Sequence, residues 1–242
     1  MLALLAPLRR LGEVSFRDLS ALAASQAGKR VAPIAAGEAG RLFLARSIDG
    51  FQGFPGARET AAKQLSRTGD VDAAIKEVIE QHVRLAGLGG FVTQVGGVMA
   101  MVVTLPANVA GLAAIQLRMT ATIAHLRGHD VDQPRVRIAA LACLLGEQGV
   151  TEAVLARDLP GTPRDLAFGP PITDEALRVR LTSTVGQHLI TRVTTKHATL
   201  QLVRRVPLLG GGVGAGMDAF LTWQVGRYAD HELTPAVQIE RA

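Results

Sequence analysis

The sequence predicts an all-α fold: a single helical domain with a central glycine-rich apolar helical hairpin and a small N-terminal helical appendage. Three observations carry that expectation. Between Arg84 and Arg118 there are 33 consecutive residues without a charge, broken by Gly and Pro. Elsewhere apolar residues recur at i, i+3, i+4 and i+7, the period of a helix with one buried face. No apolar/polar alternation of useful length occurs, so no half-buried strand is expected.

Bulk properties narrow the function classes. The 242 residues fit one domain or one with an appendage. Hydrophobic residues make up 48% but aromatics only 4%, which favours close helix packing and disfavours a nucleic-acid binder built on stacking rings. A formal net charge of +5 favours phosphate-bearing partners, either nucleic acid or an anionic membrane surface, and the placement of the cations decides between them. Cys143 is the single cysteine, so neither an intrachain disulfide nor a cysteine-based zinc site forms, and its LACLLG setting is that of a small buried hydrophobe. Arg9 and Arg10 follow the first apolar stretch instead of preceding it, so no export signal is read and a cytoplasmic location is expected.

Residues 1–56 are expected to form the appendage and 57–242 the main domain. Phe16, Leu19, Leu22 and Ala23 share helical spacing, EAGRLFLARSI (38–48) suits a second short helix, and GFQGFPG (50–56) is a break whose Phe51 and Phe54 anchor it to the body. RETAAKQLS opens the body as a polar helix. Asp70 or Asp72 caps the next, in which Ile75, Val78, Ile79, His82, Val83 and Ala86 form the apolar face. Pro106 starts the helix PANVAGLAAIQLRMTATIAHLRG, and Gly128 stops it. Asp132 is placed to cap QPRVRIAALACLLGEQG, with Pro134 in its first turn, and TEAVLARDL forms a short helix after it. The segment 158–174, with four Pro and two Gly, is expected to be irregular. Thr173 with Asp174 opens a long helix to about Arg205, and a last helix runs from about Pro207 to Glu232.

As one helix the uncharged run would be about 50 Å long, against a hydrocarbon core of ~30 Å. Broken at Gly96-Gly97 and Pro106, it suits a hairpin buried in a bundle or a re-entrant one beside other protein in lipid. The charge of the remainder favours the buried hairpin. Four polar or charged residues are expected in the core, Thr104, Asn108, Arg118 and Asp218. A lone buried charge is costly, so Arg118 and Asp218 are expected to meet, directly or through one intermediate polar group such as Asn108.

No nucleophile elbow, Walker A or dinucleotide fingerprint is present, and no catalytic, metal or cofactor site is assigned. His125 and His129 have a helix-face spacing but lack an evident third ligand. In VPLLGGGVGAG, the pairs Gly210/Gly214 and Gly212/Gly216 have the spacing of close-packed helices. More telling is the absence of acid from Ala176 to Met217, where Arg178, Arg180, Arg192, Lys196, Arg204 and Arg205 all occur with Leu177, Leu181, Val185 and Leu189 on recurring turns. That describes a basic amphipathic helix, each cation of which contributes about 1 kcal/mol near an anionic leaflet. The leading expectation is a non-enzymatic protein, peripheral to the inner face of the membrane, docked on anionic lipid through these six cations. The alternatives are a hydrolase with a cleft beside 158–174 and a nucleic-acid binder using the same face.

The motifs in order resemble the EcsC family. Leu105-Pro106-Ala107-Asn108, Leu117-Arg118, Gly128-His129-Asp130, Val206-Pro207, Gly210, Gly211, Asp218 and Arg227-Tyr228-Ala229 follow its pattern over about residues 75–232. Thr104 departs from it where many members carry an acid, and His129 where they carry an aromatic. The resemblance implies a membrane-linked setting, with an ABC transporter or another membrane protein as partner, and no mechanism.

Overall fold

The computed structural model describes residues 42–50, 54–87, 107–187 and 212–236. They are helical with no β-strand among them, as the periodicity predicts. The helices are α1 (Ala57–Thr68), α2 (Val71–Gly87), α3 (Ala107–Leu126), α4 (Pro134–Ala142), α5 (Gly146–Leu155), α6 (Pro163–Phe168) and α7 (Gly212–Glu232), with a 3₁₀ turn at Cys143–Leu145. Residues 42–49 and 175–187 are also helical.

The centre is a three-helix sandwich of α2, α3 and α7. Arg127, just past the end of α3, bonds Asp72 at the start of α2 (2.7 Å) and Asp230 at the end of α7 (2.6 Å). Therefore α2 runs antiparallel to both neighbours. Midway, Gln116 of α3 bonds Thr222 of α7 at 3.2 Å. The end of α2 and the starts of α3 and α7 thus share one end of the bundle, and the Arg127 ion pairs mark the other.

Small residues let these helices approach. On α7 the inward stripe is Thr222, Val225, Gly226 and Ala229, continued by Leu233 just past its end. A Cβ at Gly226 would lie 2.9 Å from Ile79 Cγ1 of α2 and 3.2 Å from Met119 Cε of α3. Gly226 thus makes a close glycine-mediated approach, at a position apart from the Gly210/Gly214 and Gly212/Gly216 pairs. Gly216 faces outward with no atom near its Cβ position. Gly210 and Gly211 lie outside the described residues.

Local chemistry explains most boundaries. Asp70 caps α2 by accepting from the Ala73 N–H (2.8 Å). Gly128 ends α3, with the His129 N–H returning to the Ala124 carbonyl. Pro134 opens α4 as expected, but Asp132 does not cap it. Its carboxylate is held by Arg58 and Arg137 instead, while Asp130 accepts from the Asp132 N–H. Asp174, not Thr173, caps the helix at 175 by accepting from the Ala176 N–H (2.9 Å).

Two segments differ from the sequence expectation. The apolar helix expected through Gly149 bends at the 3₁₀ turn, where Gly146 takes φ 66°, and α5 absorbs the residues that follow. Pro134–Leu155 is long and apolar enough to cross a membrane, yet 56% of its most apolar window is buried inside the protein, as in a core element. The stretch 158–174 contains α6, closed by a capping box in which Thr162 and Asp165 bond each other's backbone. Leu166 and Ala167 are buried, and α6 packs against α4.

Upstream, Leu44 and Ile48 belong to the same core as α2, α3 and α4, so that core extends before residue 56. Asp49 reinforces the join through a two-pronged bond with Arg137 (2.7 and 3.0 Å).

Gly226→Val forces a branched side chain against Ile79 and is expected to lower stability by about 1–3 kcal/mol. Gly216→Ala meets nothing and gains helix propensity, so it is expected to raise stability by about 0.5–1 kcal/mol. Urea unfolding followed by circular dichroism measures both.

Candidate functional site

Arg118 is the most unusual side chain in the core. It is 3% exposed, at the middle of a helix whose other buried side chains are those of Ala, Leu, Ile, Met, Thr and Gln116. Its Nε donates to His82 Nε2 at 3.1 Å, Nη1 reaches the Pro55 carbonyl at 3.4 Å, and the guanidinium carbon sits 3.8 Å from the centre of the Phe54 ring. Those partners come from α2 and from the link that precedes α1. Gly50, at φ +83°, closes the link so tightly that a Cβ there would lie 2.6 Å from the Phe54 carbonyl oxygen. The GFQGFPG break and its Phe54 anchor were legible; that the anchor serves an arginine was not.

The hydrogen bonds fix the His82 tautomer. Nδ1 lies 2.7 Å from the Val78 carbonyl and donates to it, which leaves Nε2 as the acceptor for Arg118. Burial, and then the Arg118 charge, push the imidazole down to about 3. Burial lowers Arg118 to about 10, so the guanidinium stays charged at neutral pH. A neutral imidazole acceptor, a carbonyl and an aromatic face therefore replace the usual carboxylate.

Arg118 and Asp218 do not pair directly. Arg118 bonds His82 and Pro55, whereas Asp218 is half-buried near the start of α7. No ion pair joins Arg118 to a carboxylate among the described residues. Asn108 lies in the first turn of α3. Thr104 lies outside the described residues.

Of the six cations assigned to a basic helix, Arg178 and Arg180 lie on the helical stretch 175–187. Leu181 and Val185 of that stretch are buried in the core, Arg180 is exposed, and Arg178 is half-buried and pairs with Glu175. The amphipathic expectation holds for this portion. Arg192, Lys196, Arg204 and Arg205 lie outside the described residues.

Other candidate groups are committed to structure. Cys143 is fully buried, and desolvation, aided by Glu232, pushes its thiol up and keeps it protonated. His129 bonds the Thr234 carbonyl (2.7 Å) and lies edge-on to Phe168 at 5.0 Å. Among the described residues no three His, Cys, Asp or Glu side chains gather as metal ligands.

One surface was missed. Met217, Phe220 and Trp223 are 36%, 53% and 48% exposed on the outer face of α7, and the two rings stack with centroids 6.2 Å apart. Their i, i+3, i+6 spacing is visible in the sequence, but it resembles that of an ordinary buried stripe.

The EcsC protein family model matches residues 59–234, from α1 to just beyond α7. The chain belongs to the EcsC family. No curated protein and no solved structure matches it. The helices of this EcsC protein that hold Arg118, His82 and the α7 ridge all fall inside the matched region, while Phe54 and Pro55 lie just before it.

His82 gives the fold a pH dependence. The unfolded chain binds a proton on this imidazole below about pH 6.5, and the folded protein refuses it until about 3. Its contribution is therefore complete above 6.5 and is lost as pH falls through that window, with a slope approaching about 1 kcal/mol per pH unit. His82→Gln, which offers Arg118 an amide oxygen, is expected to flatten this part of the stability–pH curve. Urea midpoints at several pH values for both proteins measure the difference.

Proposed function

We propose that this EcsC protein is a non-enzymatic, membrane-associated protein that docks on anionic lipid. The observation that carries the reading is the stretch beginning at 175. Its apolar residues Leu181 and Val185 turn into the core, Arg180 turns out, and no acid occurs from Ala176 to Met217. A folded body with a one-sided cationic surface suits a negatively charged leaflet, which attracts each nearby cation. Arg178, Arg180, Arg192, Lys196, Arg204 and Arg205 form the docking set, with the ion pair from Glu175 moderating Arg178. The location that follows is the cytoplasmic face of the membrane, where an ABC transporter or another membrane protein would be the neighbour. The family's membrane-linked setting supports this reading, and so does the burial of Cys143, the nucleophile a thiol hydrolase would need.

Vesicle flotation tests it. The protein is expected to float with anionic vesicles and to remain behind with neutral ones. Raising salt well above physiological strength should release it, because exposed charges are screened within about 8–10 Å already near physiological salt. Arg180→Glu combined with Arg192→Glu and Lys196→Glu should weaken binding sharply without unfolding the protein. Equal flotation with neutral and anionic vesicles would overturn the electrostatic reading.

A further inference from the structure

The exposed face of α7 changes character along its length. Toward the end marked by Arg127, the outward residues are Arg227 and His231, with Asp230 beside them in ion pairs. Toward the opposite end they are Met217, Phe220 and Trp223. The same end receives the last turn of α2, where Arg84 is the final charge before the uncharged sequence, and the start of α3, which carries no acid in its first turn. The acid-free stretch from Ala176 also stops at Met217, where the aromatic ridge begins.

We infer that the outer face of α7 at Met217, Phe220 and Trp223 is the part of this protein that enters the headgroup region of an anionic bilayer. The inference rests on the membrane reading above and adds to it a contact surface and an orientation. Trp and Phe rings at a water–lipid boundary bury apolar area while the indole N–H keeps a polar partner. Gln224 and Arg227, exposed on the same face, lie at the level of phosphates once the ridge is immersed.

A lipid surface fits this ridge better than a second copy of the chain. Three half-exposed side chains on one helix offer on the order of a few hundred Å², well below the ~800 Å² per partner of a stable protein interface. A bilayer demands no such shaped area. Two copies meeting here would also bring the exposed Arg227 of each into one interface, whereas anionic lipid complements it.

Trp223 is the only tryptophan in the chain, so it reports on its own surroundings. The full-length protein is titrated with vesicles of mixed phosphatidylcholine and phosphatidylglycerol, with or without lipids brominated near the headgroup end of the acyl chain. A blue shift on binding and strong quenching by shallow bromine are expected. Phe220→Ser, at an exposed position, should leave the circular-dichroism spectrum unchanged and weaken vesicle partitioning by about tenfold. Binding without quenching of Trp223 would overturn the orientation and leave the membrane reading standing. Failure to bind either vesicle type would remove both. A blue shift that grows with protein concentration in the absence of lipid, together with dimers in sedimentation, would assign the ridge to self-association and overturn the inference.

Discussion

A single guanidinium holds the centre of this fold. Arg118 projects from α3 into a core in which its partners are the His82 ring nitrogen, the Pro55 carbonyl and the Phe54 ring. Burying a charge is expensive, and burying it without a carboxylate leaves the cost to be offset by smaller terms. A cation over a desolvated ring contributes about 2 kcal/mol, and a charge-assisted bond to a neutral acceptor adds about 1.5–3 kcal/mol. His82 comes from α2 and the other two partners from the link before α1, so the three contacts fix α2, α3 and that link against one another. The arrangement is sensitive in one place: protonating His82 removes its acceptor and sets two positive charges side by side.

The remaining charges follow a different rule. Arg58, Arg127 and Arg137 bind Asp49, Asp72, Asp130, Asp132 and Asp230 at or near the surface. Exposed pairs of this kind contribute about 0–1 kcal/mol each, so their effect is to orient helix ends more than to stabilise them. Arg137 is one exception, its side chain being largely buried, and Arg127, buried between two acids, is the other. Arg127 defines the polar end of the bundle and, through antiparallel chain direction, the apolar end opposite.

Periodicity made the helices legible, since an apolar stripe every 3.6 residues is a property of the chain itself. The α2 face from Ile75 to Ala86, the Asp70 cap, the Gly128 stop and the burial of Cys143 could all be read from local sequence. What could not be read depends on distant groups. Asp132 has the right type and place for a cap, but Arg58 and Arg137, far away in sequence, claim its carboxylate. Arg118 and Asp218 looked like natural partners because both stand alone in apolar stretches, yet His82 satisfies the arginine from an adjacent helix. The α6 helix was hidden by its prolines, although Thr162-Pro163-Arg164-Asp165 carries a capping-box pattern that outweighs them. The candidate basic surface was visible as an acid-free stretch; which of its cations face outward depends on packing, as the contrast between Arg178 and Arg180 shows.

The helix α7 inverts the usual division of a core helix. Its inward stripe is built largely of small residues, Thr222, Gly226 and Ala229 with Val225, and its largest apolar side chains point out. The inward choice follows from geometry, because a Cβ at Gly226 already crowds Ile79 and Met119. The outward choice does not. Folding draws little from a half-exposed Trp or Phe, and a polar residue there would serve solubility better. Paired stacked rings on the face that stability does not require are therefore best explained by something the helix touches. The glycine-mediated packing that holds α7 in the bundle leaves its aromatic side exposed.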